Sequence, residues 1–144
     1  MGMKAHNGTR GTAAALDLLD RAAGALAQAG RDTTTHDRYI DAHLGALRSA
    51  AALLVARSQR GSSLSGAPTV WDGLARLAPE LAEWTQYFAL CGRRRAELEG
   101  GARASQREAD DLLRSAETFL ALIQSALGLP VTRGEPALAV AWRG

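Results

Sequence analysis

The chain has 144 residues, 47% of them apolar, enough for one packed core and too short for two. It holds 30 Ala and 21 Leu against 2 Ile and 4 Val, a composition that favours helices and argues against sheets. A single cysteine excludes a disulfide scaffold and a cysteine-based zinc site. No apolar run approaches the roughly 20 residues of a membrane span. Seventeen basic residues against fifteen acidic ones leave a net charge of +2, which by itself demands no nucleic acid.

Residues 1–11 carry three glycines and no apolar periodicity, so a disordered start is expected there. It carries no signal peptide, which places the chain in the cytoplasm as an expectation. Thr12 is a candidate N-cap for a first helix over about 13–29, with Leu16, Leu19, Ala23 and Leu26 on its stripe. Gly24 suggests close approach of a neighbouring helix, and Gly30 a C-terminal stop. Thr34 or Thr35 caps a second helix over 36–59, where Ile40, Leu44, Leu47, Ala51 and Leu54 recur at the spacing of a bundle seam. Residues 60–68 have the composition of a flexible loop.

Thr69 restarts helix, and Pro79 interrupts a stripe running from Leu74 to Cys91. The ring removes a helical hydrogen bond, so the spacing predicts a short helix at 70–77 and a long one at 79–99, ended by Gly100 and Gly101. Ser105-Gln-Arg-Glu108 is a capping box opening a last helix over 106–128. Leu113, Leu120 and Leu127 widen its apolar face, which points to a central helix. The tail, 130–144, is apolar around Ala137–Trp142 without charge patterning. The fold class that follows is all-α: an up-and-down bundle of four main helices plus one short helix, one domain over 12–129.

Candidate chemistry is sparse. Arg38-Tyr-Ile-Asp-Ala-His43 offers a guanidinium able to neutralise phosphate charge and an imidazole able to move a hydroxyl proton. Five residues of helix turn through about 500°, leaving the two side chains roughly 140° apart. They converge only with help from a second subunit; otherwise His43 stacks one turn after Tyr39 at the edge of the core and Arg38 is solvated. His36 and His43 lie about 10 Å apart along a helix, too far to share an ion, and no Glu is followed three residues later by His. No metal and no other cofactor is therefore expected. Asp110 and Asp111 read as ordinary surface partners of Arg114.

Arg93, Arg94, Arg95, Arg103 and Arg107 form a basic cluster around the turn between the last helices. It reads either as cations complementing a helix C-terminus or as a candidate nucleic-acid contact. No aromatic interleaves the triplet to stack on bases. Ser62, Ser63 and Ser65 lack a nucleophile elbow, and Cys91 falls on the apolar stripe as an inert core thiol. Trp71 and Tyr39 are the candidate interaction residues, Trp71 as a partner anchor beside the loop.

Three blocks resemble a small HEPN-like family of high-GC bacteria: Arg38–Ala51, the Trp71/Pro79/Trp84 region, and Arg107–Leu120. The resemblance spans about residues 15–128. It implies a HEPN-type helical bundle, often dimeric, and a role as ribonuclease, as toxin partner of a nucleotidyltransferase or as a non-catalytic module. Active members carry Arg-x(4–6)-His near their last helices, whereas no histidine follows residue 43 here. The expected function is thus a non-catalytic helical module working through protein or nucleic-acid interaction, as a homodimer or with a protein partner and without a membrane. The alternative is an endoribonuclease with a composite His43/Arg38 site across a dimer.

Overall fold

A computed structural model describes residues 2–58 and 69–131, with side chains from Gly11 onward. The described residues form five α-helices and one 3-10 turn and contain no strand: α1 (Gly2–Arg31), α2 (Thr35–Arg57), α3 (Val70–Leu77), the turn Pro79–Leu81, α4 (Ala82–Glu99) and α5 (Gln106–Ala126). This is the expected all-α architecture of four main helices and a half-length one. The loop at 60–68, with Ser62, Ser63 and Ser65, and the tail from 132 onward lie outside the described residues.

Both boundaries of α1 differ from the sequence expectation, α4 begins at Ala82 after a 3-10 turn rather than at Pro79, and α2 and α5 each end two residues early. Helix α1 begins at Gly2 and runs through Thr12, so the stretch expected to be disordered is helical. Once packing fixes the turns around Ala15–Ala29, each added residue gains a hydrogen bond without a new nucleation cost. Gly30 likewise lies inside the helix, which ends at Arg31.

Local chemistry accounts for the other ends. Thr34 Oγ1 accepts from the Asp37 amide at 3.1 Å, and Thr69 Oγ1 from that of Asp72 at 3.0 Å, each satisfying one free donor of a first turn. The capping box forms as read: Glu108 N–H donates to Ser105 Oγ and Ser105 N–H to Glu108 Oε1. Pro79 opens the 3-10 turn, and α3 stops at Ala78, whose ψ of 72° has left the helical region. Gly101 (φ 112°) and Gly128 (φ 72°) take the left-handed conformation after α4 and α5. In both, the next amide reaches back, Ala102 to Glu97 and Leu129 to Gln124, closing the last turn as only glycine does cheaply.

Helices α1 and α2 form an antiparallel pair with extensive contact. The glycine that permits it is Gly45, not Gly24: a Cβ on Gly45 would overlap the Leu26 side chain, whereas Gly24 has nothing within 4 Å. Helix α2, not α5, is central, touching each of the other four helices. Thr35 Oγ1 donates to Ala104 O and Arg38 to Asp110, setting the start of α2 beside the start of α5. Tyr39 meets Cys91 and His43 meets Phe88, which makes α4 antiparallel to α2.

Helices α4 and α5 make little close backbone contact, and aromatic side chains fill the wedge between them. Phe88 is at the centre, with ring centroids 4.9 Å from Phe119, 5.2 Å from Trp71 and 5.9 Å from Trp84. Phe88 and Phe119 are fully buried. A chain poor in Ile and Val obtains its core volume from these rings and from Leu53, Leu74, Leu98 and Leu112.

Candidate functional site

His43 is the only buried histidine among the described residues, 3% exposed. Gly92 admits it: a Cβ there would stand 3.3 Å from His43 Nε2, so a larger residue would crowd the imidazole. Its Nε2 lies 3.3 Å from the Phe88 carbonyl oxygen and its Nδ1 3.5 Å from Arg95 Nη1. A carbonyl can only accept and a guanidinium can only donate, so Nε2 carries the proton and Nδ1 offers its lone pair to Arg95. Burial, aided by the Arg95 charge, pushes the pKa down to about 4 against a hydrogen bond to Phe88 that acts the other way. The ring is neutral near pH 7 and held on both sides.

Arg38 does not join it. Its guanidinium donates to Asp110 Oδ1 at 2.6 Å, to Ala29 O at 3.1 Å and to Asp32 O at 3.0 Å. That ties the C-terminal turn of α1 to α2 and α5. The expected solvated arginine is a structural clamp, and its direction away from His43 follows from the 140° between them on one helix. Asp110 is its partner rather than that of Arg114.

The arginine triplet is split three ways. Arg94 holds Glu108 at 2.6 Å and Glu97 at 2.9 Å, and donates to Arg103 O; the same guanidinium draws the Glu108 carboxyl below its usual value. Arg95 lies 3.5 Å from Glu99 and reaches His43. Arg93, Arg103 and Arg107 are exposed. Two of the five cations of the proposed nucleic-acid patch are therefore already paired with carboxylates.

The two interaction candidates are core residues. Trp71 is 7% exposed and stacked on Phe88, because the first turn of α3 faces the α4–α5 wedge. Tyr39 is 3% exposed, and its hydroxyl donates to the Cys91 carbonyl at 3.3 Å. Cys91 is buried as expected, and burial pushes its thiol up, away from the reactive thiolate. What lies open is a groove of about 390 Å³ between α4 and α5, lined by Tyr39, Tyr87, Leu90, Cys91, Glu108 and Leu112, among others. Leu90 on its rim is 59% exposed and Tyr87 36%. Leu90 was missed in the sequence because it falls one position before the α4 stripe.

A second cluster lies at the α1–α2 turn. Asp32 Oδ1 accepts from Gln28 Nε2 at 2.8 Å, while its Oδ2 is buried without a partner. Burial first, then a hydrogen bond to Asp32, raises the Asp41 carboxyl to about pKa 6. Below about pH 6 a proton held by Asp41 serves a hydrogen bond to Asp32. No group of three or more potential ligands able to hold a metal occurs among the described residues, and no described helix is long and apolar enough to cross a membrane.

The model of a family described as HEPN-like matches residues 27–124, more than half of the chain. The chain belongs to the HEPN-like family. The matched span starts in the last two turns of α1 and ends near the end of α5, so it takes in the whole antiparallel core around α2. No curated protein and no solved structure matches. In this HEPN-like domain the imidazole and guanidinium that meet are His43 of α2 and Arg95 of α4, not the sequence-adjacent pair.

Proposed function

We propose that this HEPN-like domain is a non-catalytic helical module that acts through an exposed surface. The observation that carries the reading is His43. A general base must reach the proton it removes and have a pKa near the working pH; this imidazole is buried, engaged at both nitrogens and shifted to about 4. A protein surface is favoured over nucleic acid because Arg94 and Arg95 are paired with carboxylates, while Leu90 and Tyr87 stand exposed beside the groove.

The ribonuclease reading keeps one observation in its favour, the approach of Arg95 to His43. Incubation of the full chain with single-stranded RNA in EDTA separates the two. The expected result is no cleavage that depends on His43. Cleavage lost in both His43→Gln and Arg95→Ala, with the fold intact by circular dichroism, overturns the proposal.

A further inference from the structure

We infer that the chain's own segment 137–143 docks in the groove between α4 and α5, with Trp142 over the apolar floor and Arg143 beside Asp111. This goes beyond the module reading and does not depend on it. The groove, about 390 Å³, has room for an aromatic side chain and its neighbours. Its floor includes the buried Cys91 and Leu112, and Tyr87 and Leu90 stand exposed as its walls. The lining charges are Arg94, Glu108 and Asp111, which leaves one carboxylate in excess. Arg94 already holds Glu108 and Glu97. The ion pair of Asp111 among the described residues is with Arg114, 3.5 Å away and exposed, a kind worth little. The groove therefore suits a large apolar side chain followed by a cation.

Residues 137–142, Ala-Leu-Ala-Val-Ala-Trp, supply the first and Arg143 the second. The segment lies outside the described residues. Its large side chains alternate with alanine, so an extended run presents Leu138, Val140 and Trp142 on one side at intervals of about 7 Å. Docking takes this apolar run and the two exposed groove walls out of water together. The distances allow it. Past the end of α5, Gly128 (φ 72°) turns the chain back, the Leu129 amide donates to Gln124 O, and Leu127 and Leu129 pack against the core. From Ala126 back to Asp111 is about 22 Å of helix, and the extended chain from Val131 to Trp142 spans about 36 Å. A tether this short holds the segment at about millimolar effective concentration, so even an open groove fills. The docked segment then competes with any partner that takes the same groove.

NMR of the full chain with labelled leucine methyls and indole rings tests this. The expected result is nuclear Overhauser contacts from the Trp142 indole to the Leu90 and Leu112 methyls, independent of protein concentration. Trp142→Ala removes them and shifts the Leu90 and Leu112 signals. The signal of Leu53, buried towards the C-terminal end of α2, stays in place. Arg143→Glu lowers the docking equilibrium constant by about threefold, and R143E/D111R together restore it. A Trp142 indole in contact with neither methyl, contacts that arise only between mixed labelled and unlabelled chains, or an Arg143→Glu loss that Asp111→Arg does not rescue each overturn the inference. None of these readouts involves His43, so the RNA assay decides the module reading separately.

Discussion

Replacing His43 by Gln gives the sharpest test of how this core is built. The imidazole titrates at 6.5 in an open chain and at about 4 in the fold, so below pH 6.5 the unfolded chain binds a proton that the folded one refuses. Its contribution is fully present above pH 6.5 and is lost as pH falls towards 4, in total about 3 kcal/mol. Asp41 acts with the opposite sign. Its carboxyl, raised from 3.8 to about 6, binds a proton in the fold before the unfolded chain does, so it adds stability as pH falls through 6. Between pH 6 and 4 the two slopes oppose each other. Urea unfolding of the wild-type chain should therefore weaken between pH 7 and 6 and then stay nearly level down to about the usual carboxylate range. His43→Gln, whose amide can still donate to Phe88, should instead gain stability on acidification. Asp41→Asn should show the full decline without a plateau. Parallel pH dependences in wild type and His43→Gln would refute the reasoning, because they would mean that the folded imidazole titrates like a solvated one.

Further outcomes follow from packing, a cap and one ion pair. Thermal melts should show Gly24→Ala stabilising by about 0.5–1 kcal/mol, since helix α1 gains a better former in open space. Gly45→Ala should destabilise by about 1–3 kcal/mol, because the buried Leu26 side chain cannot yield. Trp71→Ala should cost about 3–5 kcal/mol of unfolding free energy in urea; a tryptophan that served a partner would cost association and leave the chain's own stability unchanged. Ser105→Ala should cost about 1 kcal/mol through the lost cap. Because Arg94 draws the Glu108 carboxyl down, the contribution of that pair should be present above about pH 4.5 and fall away in more acid solution.

The sequence revealed what depends on local chemistry. Thr34, Thr69, Pro79, the Ser105/Glu108 box and the glycines at 101 and 128 act within a turn of themselves, so their residue types announce the helix ends they make. It did not reveal where α1 begins, because helix propagation draws on contacts made further along. Nor did it reveal which glycine is a contact point. Gly24 and Gly45 are both helical glycines in Ala-rich surroundings, and only the approach of Leu26 distinguishes them. Helix α5, with its broader apolar face, was expected at the centre, but the small side chains of α2, Ala42, Ala46, Ala50 and Ala52 among them, let neighbours close in on more sides.

The candidate site was least legible because its partners are distant in the chain. A helix separates Arg38 from His43 by angle and sends the first to Asp110 and the second to Phe88 and Arg95. The partners that matter lie 45, 52 and 72 residues away, beyond the reach of any spacing rule. Arg95 could have been singled out only by asking which member of the triplet faces α2. A helical turn supplies that answer: Cys91 and Arg95 are four apart, and Cys91 is on the apolar stripe, so Arg95 continues that stripe inward while Arg93 points off it. By the same geometry Leu90 must lie off the stripe. There it stands 59% exposed on the rim of the α4–α5 groove, beside Tyr87 and Leu112.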